Sequence, residues 1–166
     1  MGMSVIISVA TEDDAEQILK LQYLGYQSEA ELYGDWGIEP LTQTLGSLRA
    51  ELSDRHVLVA KLGDEVVGTV RGRVEENGVA RVARLVVHPR MQRHGLGGRL
   101  LDAVERQLLD RHDVRSFELS TGHRSLANLR LYARHGYRQR EVTEVSRRLS
   151  VVALEKPVHS EYAATA

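Results

Sequence analysis

The stretch Leu85-Val86-Val87-His88-Pro89-Arg90-Met91-Gln92-Arg93-His94-Gly95-Leu96-Gly97-Gly98 decides how the chain folds. Leu85-Val86-Val87 is a continuous apolar run, as a strand covered on both faces requires. Pro89 ends it, and a glycine-rich turn follows. Beyond the turn, Leu96, Leu100, Val104 and Leu108 recur at helical spacing, widened by Leu101, and predict a helix over 95–111. A strand that passes through such a turn into an amphipathic helix builds an anion site. The first amides of a helix have no partner within it. The helix dipole adds partial positive charge there, so a phosphate fits. Glycines let the backbone come close to a ligand and adopt positive φ. Arg93 and His94 can add charge-assisted contacts.

Two common phosphate-binding patterns do not match. A Walker A loop needs lysine after its last glycine, and Arg99 follows Gly98. A dinucleotide fingerprint needs a third glycine where Leu100 stands.

Working outward, 5–9 is a short β-branched strand. Thr11 caps a helix over 13–32, with Ala15, Ile18, Leu21 and Gly25 along one stripe. Residues 34–40 hold two glycines and a proline and read as a loop; a second helix covers 42–52. Strands follow at 56–62, 66–75 and 79–88, joined by tight turns, one of them Asn77-Gly78. A strand at 117–120, a short helix over 125–135 and a strand over 137–149 complete the order; 151–154 either continues that last strand or forms another. The sum is a mixed α/β layered domain over 1–156, with a frayed tail at 157–166.

Composition bounds the function. The chain has 166 residues, a length that suits one domain. It has no cysteine, which removes disulfides, thiolate zinc sites and cysteine nucleophiles. Basic and acidic residues number 22 and 23, so no global positive field draws the chain to nucleic acid. No apolar run approaches the roughly 20 residues of a membrane span. The start, Met1 to Ile7, lacks the basic region of a signal peptide, so a cytoplasmic protein is expected.

What remains at the turn is Gln-x-x-Gly-x-Gly, from Gln92, Gly95 and Gly97. With Leu85-x-Val87-x-Pro89 ahead of it, this resembles the acetyl-CoA signature of the GNAT superfamily of acyl-CoA-dependent N-acyltransferases. Downstream, Asn128, Tyr132 and Gly136-Tyr137 resemble that family's Asn…Tyr…Gly-Phe/Tyr pattern. The element order over 5–154 also suits the fold.

The resemblance implies a GNAT fold, α/β of the mixed α+β kind: a mostly antiparallel sheet of about six or seven strands flanked by about four helices. It implies acetyl-CoA as co-substrate and no metal. The pyrophosphate would lie on amides from Arg93 through His94, Gly95, Leu96 and Gly97 to Gly98, with Gln92 in the same motif. The pantetheine arm would pair with backbone near Leu85 and Val87, and an amide near Val86 would polarise the thioester carbonyl. Asn128 would contact the cofactor arm, and Tyr132 would protonate the departing CoA thiolate. The acceptor would be a primary amine of a small molecule or peptide, attacking directly once both reactants are held together.

Two parts stay open. Many family members carry a glutamate near the start of the fourth strand, and 79–84 has no carboxylate. Glu118, Asp35 and Glu39 are the candidate bases; an acyl-CoA sensor without turnover is the alternative function. For the acceptor wall, the first two helices and their connection carry Tyr23, Tyr26, Tyr33 and Trp36, suited to an apolar or cationic acceptor. Arg71 and Arg73 share one strand face and could grip an acceptor carboxylate, or simply pair with acids. A homodimer through a C-terminal strand is a further expectation.

Overall fold

The computed structural model describes residues 4–158. The readings of Met1 to Met3 and of the tail at 159–166 lie outside the described residues.

Strand β1 is Val5–Val9. Thr11 then opens a short 3-10 turn, its N–H donating to the Asp14 carboxylate at 2.8 Å, and α1 runs over Ala15–Tyr33. Gly34 closes α1 in the left-handed region. The expected loop at 34–40 is cut short, because Glu39 and Pro40 open the one-turn helix α2, Glu39–Thr42. Proline suits a first helical turn, where its missing N–H costs nothing. Helix α3, Leu45–Asp54, starts afresh because Thr44 Oγ1 accepts from Ser47 N–H at 3.1 Å.

Strands β2 His56–Leu62, β3 Glu65–Val74 and β4 Val79–Val87 form the expected meander. Helix α4 is Leu96–Arg111, β5 Ser116–Gly122 and α5 Leu126–Arg134. The strand expected over 137–149 is shorter. It ends as β6, Arg138–Glu144, and β7, Ser150–Pro157, is a separate strand. Ser146 Oγ accepts from the amides of Arg148 and Leu149 and makes the turn between them. Residue 157 does not begin a frayed tail: Pro157 pairs with Ser116, and Val158 N–H donates to the Arg115 carbonyl at 3.0 Å.

The seven strands lie in the order β1-β2-β3-β4-β5-β7-β6, antiparallel except for the parallel pair β4 and β5. Helices cover both faces. On one, Leu100, Leu101, Val104 and Leu108 of α4 pack, fully buried, with Val67, Val70, Phe117 and Leu154. On the other, Ile18 and Leu21 of α1 and Leu48 of α3 pack against Val57, Val59, Val66 and Val86. Burying each such aliphatic side chain stabilises the fold by about 2 kcal/mol. No helix of the described residues is long and apolar enough to cross a membrane.

Helix α1 lies very close to β4. A Cβ on Gly25 would stand 2.4 Å from Val86 Cγ1. Alanine in mid-helix normally gains about 1 kcal/mol over glycine. Here Gly25→Ala is expected to destabilise by about 1–3 kcal/mol instead, because a β-branched buried neighbour cannot yield. A higher melting temperature in the variant would refute that close contact.

Candidate active site

Strands β4 and β5 pair only at Val79/Ser116, Ala80/Phe117 and Arg81/Glu118. Beyond that point they separate, and a cleft of about 730 Å³ opens between them. Its walls are 82–87 of β4, the turn into α4, the end of β5 and one side of α5, with Gly25, Tyr26, Ser28 and Glu29 of α1 at the rim.

A β-bulge shapes the β4 wall. The β3/β4 register shifts between Thr69 and Arg71, and Arg84 takes the left-handed conformation at φ 55°. Bulges of this kind bend a strand and re-aim its side chains. Past the bulge, His88 N–H donates to the Val67 carbonyl at 2.8 Å, and Val86 lies opposite Thr69. Alternation along an antiparallel pair then turns the backbone groups of Val86 toward β3 and those of Leu85 and Val87 into the cleft. The amide near Val86 expected to polarise a carbonyl is therefore a neighbour's, since the Val86 N–H itself is committed to Thr69.

The turn into α4 forms the far end. Arg93 has φ 70° and Gly95 φ 73°, left-handed backbone of the kind from which anion nests are built. A Cβ on Gly95 would meet nothing within 4 Å, so conformation, not space, selects glycine there. The amides of Leu96, Gly97 and Gly98 begin the helix with no partner inside it. Gln92 Nε2 donates to the Val87 carbonyl at 3.4 Å and ties the turn to the strand. His88 Nδ1 accepts from Arg90 N–H at 3.2 Å, a structural role.

Asn128 and Tyr132, one helical turn apart on α5, both line the cleft. Asn128 Nδ2 donates to Thr121 Oγ1 at 3.3 Å. Tyr132 is buried, its ring 6.1 Å from that of Tyr137, whose hydroxyl donates to Glu105 at 2.9 Å. Burial pushes the Tyr132 phenol well above its ordinary value, and Tyr26 and Glu29 push the same way. Burial likewise lifts Tyr26 to about 12, against the pull of Arg84. Both phenols are protonated at neutral pH.

A smaller cavity of about 290 Å³ adjoins the cleft and shares Tyr26, Glu29 and Ser120, Thr121 and Gly122 with it. Tyr33, Asp35, Ile38, Pro40 and residues of the β6/β7 turn complete its lining.

The structure thus brings Leu85, Val86, Val87, Gln92, Arg93, Gly95, Leu96, Gly97, Gly98, Asn128, Tyr132 and Tyr26 onto one cleft. His94 is exposed and not part of the lining. Trp36 is 58% exposed and lines neither cavity. Arg71 is no acceptor grip. It is buried, ion-paired with Glu51, and donates to Gln22 Oε1 at 2.5 Å and Gln43 Oε1 at 3.3 Å. Of the base candidates, Glu118 is held by Arg81 and Arg140 and lies off the lining. Glu39 holds Arg84 at 3.1 Å, and only Asp35 reaches the smaller cavity. Sequence reasoning missed Glu29, Arg130 and Arg134. The two arginines face the cleft at helical spacing i, i+4, a signal present in the sequence.

The acetyltransferase (GNAT) family model matches residues 16–137. No curated protein matches the sequence. Similar solved structures include an acetyltransferase of GNAT family from Streptococcus pneumoniae, at 18% identity and TM-score 0.74, covering 93% of this chain and 100% of that one. The ribosomal-protein-S18-alanine N-acetyltransferase from Escherichia coli has 15% identity and TM-score 0.75, with 93% and 94% covered. A Salmonella typhimurium protein assigned to the acetyltransferases, solved with its cofactor acetyl-CoA, has 17% identity and TM-score 0.73, with 94% and 95% covered. At these identities the likeness is one of fold.

Proposed function

The chain belongs to the GNAT acetyltransferase family, and from that premise we propose that it transfers an acetyl group from acetyl-CoA to a primary amine by direct attack. The observation that carries this reading is the parting of β4 from β5, with cleft-facing backbone at Leu85 and Val87 and the α4 amides at one end. These features fit acetyl-CoA part by part. The amides of Leu96, Gly97 and Gly98 would hold the pyrophosphate, with Arg93, Arg130 and Arg134 adding charge. Leu85 and Val87 would pair with the amide-bearing arm as a neighbouring strand does. Asn128 would hold the same arm from α5.

Acetyl-CoA supplies the acetyl group already activated as a thioester. In the transfer, the ammonium form of the amine first loses one proton to water. The amine nitrogen then bonds to the acetyl carbon, the carbon–sulfur bond breaks, and the second proton the nitrogen loses reaches the sulfur through water, so that CoA leaves as the thiol. The residues contribute chiefly by holding the reactants in register. A cleft-facing amide of β4 polarises the carbonyl. Tyr132 donates a hydrogen bond to the sulfur as negative charge develops there. Its raised pKa makes complete proton loss uphill against a thiol near 8.5, so donation rather than full transfer is its part.

Calorimetry tests the reading first: wild-type protein should bind acetyl-CoA with micromolar affinity. Tyr132→Phe should keep that affinity and lose about 30-fold in kcat, the worth of one hydrogen bond to a charged group. The sensor alternative draws on the absence of a carboxylate over 79–84. It requires binding without turnover in the wild type.

A further inference from the structure

We infer that Glu29 anchors the acceptor's ammonium group, and that the acceptor is a small primary amine with an apolar body and no carboxylate beside the nitrogen. This rests on the acetyl-transfer reading above and specifies its second substrate.

Among the described residues, Glu29 is the one acid that lines the cleft, and it stands where the cleft meets the smaller cavity. Its carboxylate is fixed by a directed chain of hydrogen bonds. Arg124 N–H donates to the Tyr33 hydroxyl at 3.1 Å, which leaves that phenol's own hydrogen for Ser125 Oγ at 2.8 Å. Ser125 in turn donates to both carboxylate oxygens of Glu29, at 3.0 and 3.1 Å. A carboxylate held this way loses little conformational freedom when a cation docks. Glu29 therefore presents a preset negative charge at the junction, with Tyr26 and Tyr33 beside it as aromatic neighbours for a cation.

The smaller cavity sets the rest of the acceptor. Ile38, Pro40, Val145, Leu149 and Val151 give it an apolar wall, and Asp35 is its second acid. Among the described residues, no lysine, arginine or histidine lines it. Arg84 lines the larger cleft and not this cavity; it is ion-paired with Glu39 at 3.1 Å, while its buried Nη1 has no hydrogen-bond partner among the described residues, and Arg71 is held by Glu51 and Gln22. Within the smaller cavity, a carboxylate beside the amine would meet Glu29 and Asp35 and no lining cation.

The test uses amines that differ only in that carboxylate: 2-phenylethylamine against phenylalanine, and isopentylamine against leucine. The amine without the carboxylate should have a kcat/KM roughly tenfold or more above its partner's. Glu29→Gln keeps an oxygen for Ser125 and so keeps the loop in place. It should bind acetyl-CoA within about twofold of wild type, while its KM for 2-phenylethylamine rises about tenfold or more and kcat changes less. Wild-type protein that binds no acetyl-CoA would sink the transfer reading and this inference with it. If acetyl-CoA binds, three results overturn this inference alone: no turnover of either apolar amine, equal turnover of phenylalanine, or an unchanged KM in Glu29→Gln.

Discussion

Gly97→Glu is expected to weaken acetyl-CoA binding by about 100-fold or more while leaving the protein folded, because the new carboxylate lies among the amides proposed to hold the pyrophosphate. Gly97 is the second residue of α4, and its amide is one of those with no partner inside the helix. A carboxylate there competes with the pyrophosphate for the same donors and repels it. Losing one charge-assisted hydrogen bond costs about 1.5–3 kcal/mol, and like-charge repulsion adds to it. The fold tolerates the change. A Cβ on Gly97 would stand 3.3 Å from Leu131 Cδ2, the end of a flexible side chain. Calorimetry of the variant beside its circular dichroism checks both halves. Undiminished affinity in a folded variant would move the pyrophosphate away from α4.

Arg71→Ala has the largest expected effect on stability. Arg71 is 2% exposed, and its guanidinium satisfies Glu51, Gln22 and Gln43, which come from α1, the α2–α3 junction and α3. Burial pulls its pKa down, and Glu51 opposes that pull. Removing one partner of a buried pair leaves the other's charge uncompensated, a loss of about 3–5 kcal/mol. Arg55 remains 3.3 Å from Glu51, so the lower end applies. At this chain length about 3 kcal/mol corresponds to a fall of roughly 6–12 °C in melting temperature. The KM for the amine should stay unchanged at temperatures where the variant is folded. A melting temperature like the wild type's, with a raised KM, would restore Arg71 as a substrate contact.

The contrast between these two positions shows what a sequence discloses. Gly97 was legible because its neighbours in the chain are its neighbours in space; a local turn writes its own pattern. The same holds for Asn128 and Tyr132, a helical turn apart. Arg71 misled because its partners lie 20 to 49 positions away, on elements whose packing no local pattern records. Glu29 was hidden for the same reason, since Ser125, which fixes it, is 96 positions distant. Arg84 was hidden differently. Its positive φ follows no propensity and arises where β3 and β4 fall out of step. The order of elements was visible, because periodicity and turn residues are local; whether β6 and β7 are one strand or two stayed open, because Ser146 makes the break with a side-chain hydroxyl rather than with glycine or proline.

The brief pairing of β4 with β5 has a consequence for the lifetime of the chain. Three residue pairs join a slab of four strands to a slab of three, so the sheet's weakest seam is also the binding site proposed above. A donor lying in that seam would mend the sheet as well as occupy it. Mass action then ties survival to supply: at 100 times its dissociation constant a ligand adds about 2.7 kcal/mol to the folded state. In a cell short of donor, the same polypeptide would open along that seam more often and present itself more readily to proteases.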